Sequence, residues 1–225
     1  MTSPAWRDYW ADRSDGGHRS QAEEFLRKEA AEKLFHLGSG SSLLDLGCGS
    51  ADLLVYYAAA FTRVAGVDFS PRMLAEATRR VADRKLSIEL VEADDATVWD
   101  RVTGTFDRVT AGQVVQYLDP AQLERFLERA RGRLATGGRV ILFDVIDPRI
   151  YALSELGLFE RQPPLARARR VFDVAVARLR RSPHEIGHRY AGYELARIAE
   201  RAGFRSETVW SMYYEYRYHA LLDPA

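Results

Sequence analysis

Cysteine occurs once, at Cys48, so no disulfide forms within the chain and no cysteine-rich zinc site can be built. A surplus of charge of one sign is missing too. The 32 Lys+Arg balance 32 Asp+Glu, whereas a protein that grips nucleic-acid phosphates carries a basic excess. Lysine itself is scarce, limited to Lys28, Lys33 and Lys85. No run approaches the roughly 20 apolar residues of a membrane helix, and the opening residues Met1-Thr2-Ser3-Pro4-Ala5-Trp6-Arg7-Asp8 hold no secretory-type apolar stretch. Internal repeats and low-complexity segments are absent as well. What is present is 225 residues, 47% hydrophobic and 28% charged, the size and composition of one globular domain. The expectation is a soluble, cytoplasmic protein whose partner is a small molecule, neither nucleic acid nor membrane.

The first firm element is a helix from about Ser20 to Leu37, opened by the capping-box pattern Ser20-Gln21-Ala22-Glu23, with Leu26, Ala30, Leu34 and Leu37 on one face. Short apolar runs then alternate with helices. The runs are Leu43–Leu46, Val64–Val67, Ser87–Val91, Phe106–Val109 and Val140–Phe143. One intervening helix opens at Ser70-Pro71; another opens at Asp119-Pro120 and is expected to end at Gly137-Gly138. Such alternation implies a parallel sheet covered on both faces, with ligands at the carboxyl ends of its strands. After Val145 the rhythm breaks into a proline-punctuated segment carrying a helix from about Leu165 to Arg181. Its apolar positions are Leu165, Phe172, Val176 and Leu179; its polar face is rich in arginine. A helix at about Ala191–Ala202 and two β-rich runs, Phe204–Trp210 and Met212–His219, close the chain. The organisation expected is one domain: an N-terminal helical cap (1–40), a core (41–147), a helical lid (148–187), and a last helix with a β-hairpin completing the sheet (188–225).

The stretch that carries chemistry is Leu43-Leu44-Asp45-Leu46-Gly47-Cys48-Gly49-Ser50-Ala51, a strand ending in an acid and then glycines turning into a helix. Glycine is needed where backbone takes unusual dihedrals or approaches a ligand closely. Gly47 and Gly49 begin a dinucleotide fingerprint, but Asp52 stands where its third glycine would fall, and a carboxylate there repels a pyrophosphate. A ligand with a cationic centre suits the loop better, with Asp45 holding an ammonium group. Asp68 lies 23 positions after Asp45, the spacing of a strand-2 acid that accepts from both ribose hydroxyls. Phe69 beside it offers a flat face for a base. The third strand ends Glu92-Ala93-Asp94-Asp95-Ala96, where a carboxylate meets an adenine amino group, and the fourth ends at Gln113 in a neighbouring polar pocket.

These residues resemble the class I S-adenosylmethionine-dependent methyltransferases of small-molecule type, over about Leu43 to Val145. Asp45-Leu46-Gly47-Cys48-Gly49 is similar to that family's first motif, Val67-Asp68 to its ribose-binding acid, and Asp94-Asp95-Ala96 to its adenine-edge motif, with Asp95 favoured because Ala96 follows. The loop's frequent third glycine is Ala51 here. The resemblance implies a Rossmann-like α/β fold with a seven-stranded, mostly parallel sheet whose last strand is antiparallel. It implies S-adenosyl-L-methionine as cofactor, held by Asp45, Gly47, Gly49, Asp68, Phe69, Met73, Asp94, Asp95, Ala96, Gln113 and, from an N-terminal segment folded over it, Tyr9.

Methyl transfer from a sulfonium is an in-line displacement, so alignment and desolvation supply much of the rate, and a base is needed only when the acceptor keeps its proton. Candidate acceptor-side residues are Gln116, Tyr117, Asp144, Tyr190 and His18, with His188 as a candidate base. The arginine-rich lid face admits an acidic or carrier-bound acceptor, against the plainer reading of a solvated helix face. His184-Glu185-Ile186-Gly187-His188 matches a zincin pattern, but Pro183 before it and Gly187 inside it deny the motif its helix, so no metal is expected. The expected activity is methylation of oxygen or nitrogen on a small metabolite, in specialised metabolism. A non-catalytic cofactor-binding scaffold and a nucleotide-dependent oxidoreductase are the competing readings.

Overall fold

Buried strands joined by helical crossovers of one hand stack side by side into a single sheet. The computed structural model describes residues 7, 10, 11, 13, 22–159, 163–179 and 187–225. Strands β1 (Ser42–Leu46), β2 (Arg63–Asp68), β3 (Glu89–Glu92), β4 (Phe106–Gly112) and β5 (Leu134–Ile146) are parallel to one another, and β6 (Phe204–Trp210) and β7 (Arg217–Pro224) complete the sheet. The order is β3-β2-β1-β4-β5-β7-β6, with β7 antiparallel to its neighbours β5 and β6. This is the seven-stranded sheet expected, and the order reverses between β1 and β4, where a crevice opens above the strand ends.

Helices cover both faces. On one, α1 (Glu23–Leu37), α2 (Leu54–Tyr57) and α3 (Pro71–Asp83) bury Leu37, Leu54, Tyr57 and Val81 against Leu43, Val64 and Ile141. On the other, α4 (Val98–Arg101), α5 (Pro120–Arg131) and α8 (Gly192–Arg201) bury Trp99, Phe126 and Leu195 against Leu44, Val109 and Leu142. Each such side chain contributes about 1.5–3 kcal/mol by leaving water. The proline-led helices start as read. Ser70 Oγ accepts from the Met73 amide, while Asp119 and Gln122 form a reciprocal capping box.

Several expectations are corrected. Helix α5 ends at Arg131, and Gly137-Gly138 lie inside β5. A Cβ on Gly138 would meet the carbonyl oxygens of Phe106 and Ala135 at 2.9 Å. These glycines therefore serve the irregular start of the β4–β5 pairing rather than a helix end. The last strand is Arg217–Pro224, not Met212–His219. Its Tyr218, Ala220 and Leu222 pack on one core and Leu221 on the other. A strand buried on both faces has no alternation to mark it, and the tyrosine-rich turn before it draws strand propensity instead. Helix α1 starts at Glu23 with Ala22 as an N-cap that makes no side-chain bond; Ser20 lies outside the described residues.

The segment after β5 contains a helix that periodicity missed, α6 (Pro148–Glu155), with Asp147 accepting from the Arg149 amide and Pro148 at its first position. The second helix there, α7 (Pro164–Leu179), is tied to α6 by Arg170, whose Nε and Nη2 donate to the carbonyls of Glu155 and Ser154. Leu165 and Phe172 are exposed on α7, so they do not pack inward as their spacing suggested. Among the described residues, no helix is long and apolar enough to cross a membrane.

Candidate active site

The loop after β1 is held against β2 by two amides, Gly47 N–H and Cys48 N–H, which donate to the Val67 carbonyl at 2.7 and 3.0 Å. Gly47 has φ +72°, and a Cβ there would come within 2.2 Å of Val114 Cγ2, so only glycine lets the loop lie beneath the turn that follows β4. Ala51 adopts φ +60°. Alanine in this left-handed region stores about 1–2 kcal/mol that glycine would not. Asp52, expected to face a ligand, is buried, paired with Arg80, and accepts from Ser50 Oγ at 2.8 Å. Its repulsion of a pyrophosphate is therefore largely cancelled. What disfavours a dinucleotide here is the four-residue length of α2, too short to build a strong amino-terminal dipole.

Asp68, at the end of β2, accepts from Gly49 N–H through Oδ2 and from Ser70 N–H through Oδ1, each at 2.9 Å. Burial pushes its carboxyl above the ordinary range, against the pull of those amides. The amide of Phe69 bonds the same carboxylate, and Asp68 lines a cavity of about 290 Å³ whose wall also includes Phe69, Met73, Asp95, Gln113, Gln116 and Tyr117. Asp94 stands on the same wall, but its Oδ1 caps the turn by accepting from Thr97 and its Oδ2 meets Arg7 at 2.7 Å. Burial raises the Asp94 carboxyl; Arg7 and Thr97 outweigh it and hold the group below its usual value. Asp95 is pushed up by burial and by Asp94 beside it. Asp95 is thus the acid of this pair whose side chain is not consumed by the turn.

Asp45 lies beneath the glycine loop in a smaller chamber of about 70 Å³, which shares Gly47, Gly49, Gly112 and Gln113 with the larger cavity. Burial, then the nearby Asp68, lifts its carboxyl to about 8, against the attraction of Lys33. A carboxyl so placed gains from any cation brought to it.

Other expected residues are placed elsewhere. Asp144 is in the small chamber, 2.9 Å from Lys33 Nζ, at a bulge in β5 where its φ is +58°. It serves a buried ion pair rather than the cavity wall. The Tyr190 hydroxyl is spent on the Leu118 carbonyl at 2.5 Å, and the ring is buried in the core. His188 is fastened by its backbone N–H to the Gln116 carbonyl at 2.6 Å, and its side chain is not on the wall. Gly187, at φ +88°, lets the chain pass against that carbonyl. Ala96 is exposed, donates its amide to Asp94 and accepts from the Arg129 guanidinium at its carbonyl. Tyr9 and His18, and most of the refused zincin stretch (residues 184–186), lie outside the described residues.

Sequence reasoning missed seven residues of the wall, of which Leu46, Ala93 and Gly112 lie at the strand ends themselves. Trp10 donates from Nε1 to the Tyr117 hydroxyl at 2.9 Å, and Val114, Leu118 and Arg217 complete the wall. Trp10 is one residue from the Tyr9 chosen, and the aromatic cluster around it was the available signal. Arg217 sat within a run explained wholly by strand propensity.

A sheet of this order with a glycine loop after β1 and an acid ending β2 defines the class of doubly wound α/β proteins that hold nucleotide-type ligands at the switch point. Residues 43–138 match the family model described as a methyltransferase domain. The demethylmenaquinone methyltransferase of Halalkalibacterium halodurans is 28% identical over 142 residues, 62% of this chain and 57% of that protein. The ubiquinone biosynthesis O-methyltransferase of Thiobacillus denitrificans is 27% identical over 181 residues, 78% of this chain and 69% of that one. The chain thus spans less than two thirds of the first of these relatives. Among solved structures, the DhpI-SAM-HEP complex superposes with a TM-score of 0.67 at 17% identity over the whole of both chains, which speaks for the fold. Over residues 43–138 and in the order of its sheet, this chain is similar to the class I S-adenosylmethionine-dependent methyltransferases, whose cofactor is S-adenosylmethionine.

Proposed function

We propose that this protein binds S-adenosylmethionine in the 290 Å³ cavity and methylates an oxygen or nitrogen of a small metabolite. The supporting observation is that residues at or after the ends of four successive strands line one cavity, namely Gly47 and Gly49, Asp68, Asp95 and Gln113, with Asp45 in the adjoining chamber beneath the glycine loop. The fit is chemical as well as spatial. A buried carboxyl with raised affinity for protons suits an α-ammonium group, and the Asp68 carboxylate on the cavity wall suits a ribose hydroxyl. Phe69 and the buried Met73 offer apolar surface to a base. When bound, the cofactor supplies an activated methyl group on sulfur; transfer breaks that carbon–sulfur bond, joins the methyl to the acceptor and leaves S-adenosylhomocysteine.

The protein's part is alignment and exclusion of water. Among the described residues, no histidine or lysine stands on the cavity wall, so an acceptor that arrives deprotonated, such as a carboxylate, suits it best. Positioning alone provides about 7–11 kcal/mol at most. Helices α6 and α7, following β5 at the same end of the sheet, are assigned the role of lid.

The test is a thermal-shift comparison. At a hundred times its Kd, S-adenosylhomocysteine adds about 2.7 kcal/mol, which for a chain this size raises Tm by roughly 5–11 °C. NADH is expected to leave Tm unchanged. The reverse pattern would overturn the assignment in favour of an oxidoreductase.

Asp45 provides a second check. In the free protein it holds its proton up to about pH 8, whereas an unfolded chain releases it near 4. This group therefore lowers stability as pH rises between those values. Docking of an ammonium favours the carboxylate, so cofactor binding at pH 7 releases a proton and tightens up to tenfold per pH unit until about 8. Calorimetry in buffers of different ionisation enthalpy reads that proton directly. Asp45→Asn is expected to abolish it; equal release by the variant would remove Asp45 from the role.

A further inference from the structure

Arg217, the first residue of β7, pairs with Ile146 at the carboxyl end of β5, which puts its side chain at the rim where Gly112 and Gln113 end β4. Its guanidinium is 4.9 Å from the Tyr214 ring centre and 5.6 Å from that of Tyr216. Two of its nitrogens, Nε and Nη1, are shut off from solvent yet have no hydrogen-bond partner. Among the described residues, no carboxylate comes within ion-pair distance of it. Arg139, Arg149 and Arg201, by contrast, each meet a carboxylate, of Asp223, Asp147 and Glu124 respectively. Buried polar groups almost always find partners, and a guanidinium offers five donors in a fixed fork. A cation half-buried in a cavity wall without a counter-ion is a group whose partner arrives with the ligand.

We propose that Arg217 forms an anion subsite on the acceptor side of the cavity, so that the methyl acceptor carries a carboxylate or a comparable oxyanion. Resting on the cofactor assignment above, the proposal follows from how charge is divided along the rim. The wall acids Asp68, Asp94 and Asp95 stand at the ends of β2 and β3. Arg217 stands on β7, four strand spacings from β2, roughly 19 Å along the sheet. An anionic acceptor is repelled from the acidic end and drawn to the far one, which orients it with its other end toward the space between. Trp10, Tyr117 and Leu118 give that space aromatic and apolar surface. The competing view makes Arg217 a distant counter-charge for buried Asp144, whose carboxyl it helps to hold down. Asp144 is already served by Lys33 at 2.9 Å and by His219, so Arg217 is not its main partner.

The experiment is a ligand-observed NMR titration of the protein saturated with S-adenosylhomocysteine, using benzoate, phenylphosphonate and the neutral benzamide as probes. Benzoate is expected to bind at about millimolar concentration and at least tenfold more tightly than benzamide. Phenylphosphonate bound more tightly than benzoate would assign the subsite to a tetrahedral oxyanion, and the converse to a planar carboxylate. Arg217→Gln should erase the preference for anions while leaving S-adenosylhomocysteine affinity unchanged, and Arg217→Lys should keep part of it. Equal binding of benzoate and benzamide, no binding of either anion, or a full anion preference in the folded Arg217→Gln protein would each overturn the proposal. Failure of S-adenosylhomocysteine to bind the wild-type protein would instead bring down the cofactor assignment, and this inference with it.

Discussion

Replacing Lys33 with methionine is expected to lower stability by about 3–5 kcal/mol, the penalty for breaking a buried ion pair by removing one partner. For a chain of this length that is a fall in Tm of roughly 6–20 °C. Lys33 Nζ lies 2.6 Å from Glu29 and 2.9 Å from Asp144, and the three side chains are 1%, 0% and 1% exposed. Burial by itself would strip the ammonium of its proton; Asp144 and Glu29 outweigh burial and hold it charged. The same helix offers a control. Lys28 meets Glu24 at the same 2.6 Å and the same spacing, but with side chains 61% and 77% exposed. That pair is worth about 0.3–0.5 kcal/mol at most, because water screens it. Equal distances therefore conceal a difference of several-fold that burial decides.

The loss has a diagnostic pH dependence. In the wild type, burial would raise the Asp144 carboxyl, but Lys33 and then His219 more than compensate and keep it ionised. With methionine at 33, Asp144 loses its nearest cation while Asp45, Glu29 and Glu32 remain close about Tyr57. Its folded pKa then rises above the unfolded value. The variant's deficit should grow as pH rises above about 4 and shrink as pH falls toward it. Denaturant titrations at mildly acidic and mildly basic pH read this, and adding Asp144→Asn should restore part of the loss. A deficit below about 1 kcal/mol that ignores pH would mean that the three groups are not coupled as described.

Asp68→Ala is expected to weaken S-adenosylhomocysteine binding at least tenfold, about 1.4 kcal/mol. Two effects add. The carboxylate on the cavity wall disappears, and the amides of Gly49 and Ser70 lose their acceptor, each at about 1–3 kcal/mol if left unsatisfied. The second effect also loosens the glycine loop and reduces stability, which Asp68→Asn, with one oxygen retained, should do less. Calorimetry gives the affinity and thermal denaturation the stability; unchanged affinity with a folded protein would remove Asp68 from the ligand's contacts.

The two variants also mark what was legible in the chain and what was not. Asp68 was visible from spacing, because a strand end followed by Ser70-Pro71 locates the acid at the rim whatever surrounds it. Lys33 was not. Apolar periodicity on α1 picked out Leu26, Ala30 and Leu37, all buried, but the same face also buries Glu29, Glu32 and Lys33. Charges at helical spacing look like a solvated face until their partners arrive from β5 and β7. His219 of β7 lies 3.3 Å from Glu32, and its Nδ1 accepts the Asp144 amide at 3.2 Å. The candidate acceptor-side residues fared the same way: Gln116 and Tyr117 lie on the wall, while Asp144, Tyr190 and His188 do not. Position along the chain could not show that the Tyr190 hydroxyl was spent on Leu118 or that the His188 amide was fastened to Gln116.

By itself the amino-acid sequence determined the doubly wound sheet, the glycine turn after β1 and the acids at or next to the ends of β1, β2 and β3. Those follow from local periodicity and backbone requirements, which act over a few residues. Only the tertiary structure decided which charges are paired underground, which arginine is left without a counter-ion, and which aromatic closes the cavity. Arg217 and Trp10 are separated from Gln113 by about a hundred residues of chain in either direction, and what a side chain meets across such a distance is settled by packing, not by its neighbours in sequence.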